Sequence, residues 1–374
     1  MEKKIKIYNF YYRWWKNIDK FLFSTIILLF AIGLFFSLVS TSLIASDKLD
    51  TNDYSFFFKH LVFILLGIIV IFFLSSIDQK RLLNFSVFIF LISIFFLFLV
   101  PFIGIEVKGS KRWIDLYMLP RFQPVELVKP FLIIFISILL SSEKYNNIFL
   151  KYFLSFIITL IIASFLIIQP DIGQTILVFF SWSILIFTSG ISLFFLIILF
   201  SILIVALTYM VFFIPKFYYI KNRLFSFFDK ENGTHNFQSD KALESITSGG
   251  FFGKGIGEGV LKNRVPEAHT DYIISVISEE FGVIAIILIL ILFLVFIYSV
   301  FKKVYLEKDE KTKLILVGCI SLILMQAMIH VGVNIRLFPT TGMTLPFISY
   351  GGSSIISISI LSGIILNLTK RKIE

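Results

Sequence analysis

An all-α, polytopic membrane fold of ten helices is predicted by this sequence, on three observations. Apolar residues fill 57% of the 374 positions and 47 residues are phenylalanine, more apolar surface than a water-soluble domain can hide. Charged residues make up only 16%, and they gather between the apolar runs. The runs themselves have the length, near 20 residues, that a helix needs to cross about 30 Å of hydrocarbon.

The elements follow in order. Apolar runs stand near 21–45, 57–77, 82–104, 124–142, 149–169, 172–189, 191–214, 272–301, 312–337 and 345–368. The first is too long for the h-region of a cleavable signal and is followed by further spans, so it reads as a span itself. The fifth and sixth would merge, but Pro170 and Asp171 in the QPD turn divide them. The organisation is one membrane domain over 1–374, with a cytoplasmic tail at 1–20 and a large outer loop at 215–270.

Lys and Arg in the short segments set the sidedness. The tail carries Lys3, Lys4, Lys6, Arg13, Lys16 and Lys20, whereas the first loop has Lys48 among Asp47, Asp50 and Asp53. The tail is therefore placed inside, and ten spans return Lys370, Arg371 and Lys372 to the same side. The lysine-rich 302–313 segment also falls inside.

Two outer loops oppose that bias. Loop 105–123 has Lys108, Lys111, Arg112 and Arg121 against Glu106 and Asp115, and loop 215–270 has eight basic residues against six acidic ones. Long loops translocate with such charge regardless. The alternative is an anionic ligand, a phosphate or pyrophosphate, handled at the outer leaflet.

Within the long loop, SDKALESITSGGFFGKGIGEG begins as a short amphipathic helix with Ala242, Leu243 and Ile246 on one side. It ends in glycines that allow close backbone approach. It is no nucleotide loop, because no strand precedes it and the Lys-Ser/Thr pair is missing. Cys319 is the single cysteine and sits in an apolar run, so no intrachain disulfide is possible. The histidines give no metal spacing.

Several polar residues stand where a membrane penalises them. Glu126 and Lys129, three apart, can pair on one helix face, either to fix packing or to meet substrate. Asp171 reads as the N-cap of the sixth span or as part of a site. Asp271 opens the eighth span, and 271, 275, 278 and 282 form a stripe of Asp, Ser, Ser and Gly. That stripe is expected to face a cavity, where a carboxylate can act as a general base; the competing reading is a helix cap. Of Glu279 and Glu280, at most one can face the same cavity. Pro339, Gly342, Pro346, Gly351 and Gly352 predict an irregular start to the last span, tolerated only where it lines protein or water.

Six motifs, in chain order, resemble the SEDS family of cell-wall polymerases (shape, elongation, division and sporulation proteins; FtsW and RodA). They are KGSKRWID (108–115), QPVELVKP (123–130), QPDIGQT (169–175), SGGFFGKGIGEG (248–259), VPEAHTDYIISVISEEFG (265–282) and FPTTGMTLPFISYGGSS (338–354). The resemblance implies a bacterial inner-membrane enzyme, at the division septum for division-type members, that polymerises lipid II into β-1,4 glycan strands and releases undecaprenyl pyrophosphate. It implies Asp271 as the catalytic base. It implies substrate contacts from Lys111, Arg112, Gln123, Glu126, Lys129, Asp171, Glu267, His269, Thr270, Ser349 and Tyr350, with Arg121 a further candidate for the pyrophosphate. The family permits a divalent cation, magnesium or manganese, that this sequence does not itself show; no organic cofactor and no nucleic acid is expected. Its members work with a class B penicillin-binding protein and, in division, with other divisome proteins. VPEAHTD, the ITSGGFFGKGIGEG run and Thr344 look more like division-type than elongation-type members. Val125 stands where the family usually has serine, and Lys111 where arginine is common. The rival readings are an elongation-type polymerase, a lipid II flippase without chemistry, another polyprenyl-linked glycan enzyme, and a scaffold. The polar cluster at the outer surface favours an enzyme over a transporter, which would need polar groups at mid-depth and on both faces.

Overall fold

The computed structural model describes residues 11–41, 54–107, 109–115, 120–144, 146–228, 237–261 and 265–370. A helix stands on each of the ten apolar runs. They are α1 (Lys20–Thr41), α2 (Ser55–Ser76), α3 (Gln79–Ile103), α4 (Pro124–Leu140), α5 (Ile148–Ile168), α6 (Ile172–Thr188), α7 (Leu193–Phe213), α10 (Ile273–Leu306), α11 (Glu310–Asn334) and α12 (Gly352–Leu368). The long loop adds α8 (Tyr218–Phe228) and α9 (Phe237–Gly249). Among the described residues seven helices are long and apolar enough by themselves to cross a membrane. α4, α6 and α12 have 17 residues each, about 26 Å of rise. All three are extended at the outer end by non-helical chain, largely buried before α6 and α12 but exposed to half-buried over 120–123 before α4. Residues 42–53 between α1 and α2, expected as an acidic outer loop, lie outside the described residues, as does the first half of the tail, 1–10.

α11 is the axis of the bundle. It is 78% buried, against 11% for α7 at the rim. α6, α4, α10 and α12 pack around α11, and α2 packs along α12. The α2–α12 contact is close because small groups meet: Gly67 faces the Ser359 hydroxyl and Gly363 faces Leu74. Asn367 then donates to the Leu74 and Ile77 carbonyls, both at 2.7 Å, and closes the end of α2.

The segments assigned inside by charge do meet at one end. Lys303 pairs with Asp19 at 2.8 Å, Gln79 bonds Thr312 at 2.9 Å, and Lys370 reaches the Ile77 carbonyl. The opposite end holds a small hairpin, β1 (Ile105–Val107) and β2 (Ser110–Trp113), antiparallel with Lys111 opposite Glu106. A further bridge joins Ile114 to Phe122. The described parts of the basic loop, 105–107, 109–115 and 120–123, are therefore tied into paired backbone around this hairpin.

The predicted helix in the long loop is present as α9, with Ala242, Ser245 and Gly249 buried against α10. The glycines after it wrap α10 closely. A Cβ on Gly249 would stand 1.9 Å from the Ser278 carbonyl oxygen, and one on Gly253 2.1 Å from that of Glu280. The run thus serves close approach, and what it approaches is α10 itself. α10 is broken at Gly282, whose φ of 78° only glycine adopts freely.

Gly253 and Gly190 both have positive φ, 77° and 104°, but only Gly253 has backbone within reach of an added Cβ. Alanine at either site adds backbone strain; at Gly253 it adds overpacking of about 1–3 kcal/mol. Gly253→Ala is expected to melt clearly below Gly190→Ala in detergent. Equal melting temperatures would mean that the loop does not grip α10.

Candidate active site

Non-helical backbone at membrane depth needs partners for its polar groups. The segment 338–351 before α12 is such a stretch, and Met343, Leu345, Phe347 and Ile348 in it are buried. Its partners come mainly from α11. Gln326, His330 and Asn334 lie four residues apart, so they form one stripe, all buried. Gln326 donates to the Thr344 carbonyl at 3.1 Å. His330 Nδ1 donates to the Met343 carbonyl at 2.7 Å, which fixes the tautomer because a carbonyl only accepts. Asn334 Nδ2 donates to the Asp271 carbonyl at 3.0 Å and to that of His330 at 2.8 Å. The Ser349 hydroxyl accepts from the Leu345 amide, and the Tyr350 amide donates to the His269 carbonyl.

Asp271 sits in the turn before α10, not in the helix. The helix is capped by Tyr272 with no side-chain cap bond, so the capping role considered for Asp271 does not hold. The turn is built around Glu267, whose φ of 56° is costly for a side-chain-bearing residue. Its carbonyl accepts from the amides of Thr270, Asp271 and Tyr272 at 3.1–3.4 Å. The Thr270 hydroxyl adds a bond to the Glu267 carboxylate. Asp271 is thus held at its amide by Glu267 and at its carbonyl by Asn334, while its side chain stays half-buried. Its Oδ2 lies 3.5 Å from where a Gly342 Cβ would stand, so bare backbone passes beside the carboxylate. His269 stacks near Phe56 and Tyr350, with ring centroids at 4.5 and 6.1 Å.

The stripe expected to continue from Asp271 along the eighth span faces protein instead of a cavity. Ser275 and Ser278 are fully buried under α9, where Ser278 donates to the Ile246 carbonyl and Ser245 to that of Ser275. The reason is that 273–281 projects beyond the apolar part of α10, and the loop helix covers it. Neither Glu279 nor Glu280 reaches the cavity side either. Glu279 accepts from Ser245 and from the Leu261 amide, at 2.8 and 2.9 Å, and pairs with Lys254 at 3.5 Å. Glu280 accepts from the Gly257 amide. Both carboxylates hold the glycine loop.

The second polar cluster runs across the heads of α4 and α6. Asp171 does cap α6, accepting from the Gln174 amide. It also accepts from Gln123 Nε2 at 3.1 Å and lies 3.7 Å from the Arg112 guanidinium. Burial pushes its carboxyl up from the ordinary value, opposed by that guanidinium. Arg112 also donates to the Gln169 and Pro170 carbonyls, so it straps the hairpin to the α5–α6 turn. Lys129 and Glu126 pair at 2.8 Å, both buried, and Gln174 donates to the same Glu126 oxygen at 2.8 Å. Glu126 Oε2 has no hydrogen-bond partner among the described residues. Lys129 continues to Gln326 at 3.5 Å. Arg121 pairs with Asp115 on the surface, and Lys111 is exposed on β2.

The two clusters meet on four residues. Thr341 and Met343 pack on Gly173, Gly342 lies against Asp271, Met343 is bonded by His330, and Thr344 by Gln326. Ser353 accepts from the Gln123 amide and completes the link to α4. Sequence reading missed Gln326 and Asn334, and treated His330 only as a metal candidate. The signal was there: three polar residues at a strict four-residue spacing in MQAMIHVGVN.

Known proteins resemble this chain along most of its length. A family model described as cell cycle protein (FtsW, RodA, SpoVE) matches residues 19–374. A probable peptidoglycan glycosyltransferase FtsW of Caulobacter vibrioides is 31% identical over 96% of this chain and 91% of its own. A protein of the same description from Buchnera aphidicola is 36% identical over 85% and 92%. Among solved structures, a chain of a peptidoglycan synthase complex that coordinates polymerization and crosslinking superposes with a TM-score of 0.79, at 24% identity, over 94% of this chain and 97% of its own. The rod shape determining protein RodA of Thermus thermophilus gives 0.68 at 25%, over 94% and 96%.

Removing one partner of a buried ion pair leaves an uncompensated charge and costs about 3–5 kcal/mol, whereas replacing both is far milder. Lys129→Met is therefore expected to lower the melting temperature strongly, and Glu126→Gln with Lys129→Met together to recover most of the loss. A double variant as unstable as the single one would show that the cost lies in the lost Lys129 contacts and not in an unpaired Glu126 charge.

Proposed function

This chain belongs to the cell cycle protein family of FtsW, RodA and SpoVE, and from that premise we propose how it works as a peptidoglycan glycosyltransferase: it joins lipid II units at Asp271. The observation that carries the reading is the way Asp271 is held. Its backbone is clamped on both sides, by Glu267 and Asn334, while its half-buried carboxylate stands beside the bare backbone of Gly342. That is a base held in one place at the outer end of the bundle, its carboxylate not fully enclosed.

The acceptor 4-hydroxyl oxygen attacks the donor anomeric carbon. Asp271 takes the hydroxyl proton, and the bond from that carbon to the pyrophosphate oxygen breaks. Undecaprenyl pyrophosphate leaves with the electron pair. One displacement turns an α-linked donor into a β-1,4 bond. Lys111 is exposed and suited to the leaving pyrophosphate; Arg112 offers the donors its strap leaves over, and Lys129 gives the buried cluster its positive charge. Gln123, Glu126 and Asp171 set the positions of these cations. His269, Ser349 and Tyr350 form the wall opposite, tied together through backbone and rings. Among the described residues no group of three His, Cys, Asp or Glu could hold a metal ion. A magnesium or manganese ion held by one or two carboxylates and the substrate's phosphates needs no such group; no step above is routed through one.

The same reading assigns a site in the bacterial inner membrane and a class B penicillin-binding protein as partner. The names of the relatives support a division role at the septum. The solved complex of similar fold, which by its description couples polymerization to crosslinking, supports a transpeptidase partner.

Lipid II polymerisation by the purified protein with its transpeptidase tests the base. General-base removal costs about 100-fold or more. Asp271→Asn is expected to lose glycan product on a gel by at least that factor while melting like the parent. Equal polymer from both proteins would remove Asp271 from the reaction.

A further inference from the structure

α10 is longer than a bilayer is thick. It is two helical pieces joined by a kink at Gly282, and the second, 283–306, alone rises about 36 Å against about 30 Å of hydrocarbon. Lys302 and Lys303, the latter paired with Asp19, mark its inner end. Counting back about 20 residues, one membrane's worth of helix, reaches Gly282, where α10 is broken. The surface changes at the same point. Residues 273–280 are buried under α9 and the glycine loop, whereas Ile284, Ile287, Leu288, Ile291 and Leu294 are exposed. The hydrocarbon boundary therefore lies at Gly282.

The glycine loop is fastened at that level. The Val283 amide donates to the Gly250 carbonyl at 3.0 Å and the Ile284 amide to that of Phe251 at 3.3 Å. Four large apolar side chains point away from the protein there: Phe251 is 73% exposed, Phe252 83%, Ile256 65% and Val260 61%. An apolar cluster of this size needs a cover. It adjoins the first lipid-facing turn of α10, so its surface continues the surface already facing acyl chains.

We propose that Phe251, Phe252, Ile256 and Val260 are inserted into the lipid of the leaflet on the Asp271 side, making the glycine loop a membrane-resting foot. Its rigidity comes from Glu279, Glu280 and Lys254, which bind it to α10. The foot fixes the height of the Gly282 kink, and with it the level of the Asp271 turn that 273–281 carry. That height suits a sugar carried on a membrane-bound pyrophosphate; this last point rests on the functional reading above, and the lipid contact does not.

The test uses the full chain in phospholipid vesicles without a partner. Cys319 is fully buried, so one introduced cysteine carries a nitroxide label selectively. Phe252→Cys is compared with Leu288→Cys, on the lipid-facing side of α10, and with Thr247→Cys, exposed on α9. The ratio of collision rates with oxygen and with a water-soluble nickel chelate reports depth. The label at 252 is expected to favour oxygen as the label at 288 does. A nickel preference like that at 247 would overturn the proposal, and so would shielding from both reagents, which would mean that protein covers the loop. An oxygen-favouring label at 288 shows that the bundle is folded in the vesicle, and the lipid reading stands or falls separately from the loss of polymer in Asp271→Asn.

Discussion

Non-helical backbone cannot sit at membrane depth with its peptide groups unmet, and the stretch 338–351 sits there. Gln326, His330 and Asn334 on α11 meet that demand from one face of one helix. The rest of the site depends on this contact. It holds Gly342 beside Asp271 and Thr344 beside the Gln326–Lys129 end of the buried ion cluster. α11 can carry three polar side chains because all three positions are buried among the other helices, so none of them faces lipid.

A second constraint comes from outside the bilayer. Glu279 and Glu280 are buried carboxylates whose partners are a serine of α9, a lysine and the amides of a glycine-rich loop. Burying a charge is tolerable only with such company. The arrangement ties the long loop to the outer end of α10, immediately after the turn that presents Asp271. The many acidic groups at the head of α10 thus divide into two kinds: Asp271, left half-exposed for chemistry, and the glutamates, enclosed to hold the loop.

The cations divide in the same way. Arg112 spends donors on the Gln169 and Pro170 carbonyls, and Lys129 is closed into a pair with Glu126. Their positive charge remains at the outer end of the bundle even though their hydrogen bonds are largely used. A site built this way attracts an anion by field and by preset geometry rather than with loose side chains, because the cations are already fixed when substrate arrives.

Much was legible in the sequence, for a physical reason. A bilayer demands about twenty apolar residues per span and biases the charge of each loop, so span positions and their inner and outer grouping are local properties of the chain. Helices stand on all ten runs, and Asp171 as a cap of α6 was readable from one short turn. The motifs named the parts of the site, Asp271 included. Tertiary structure alone decided what each polar group faces. The Ser275–Ser278 stripe looked like a cavity wall and proved to be the seat of α9; the glycines promised a close backbone approach without saying to what, and proved to grip α10. Helical spacing says which residues share a face, but not which element covers it. That depends on contacts between residues distant in the chain, such as Asn334 with Asp271, which no local pattern encodes.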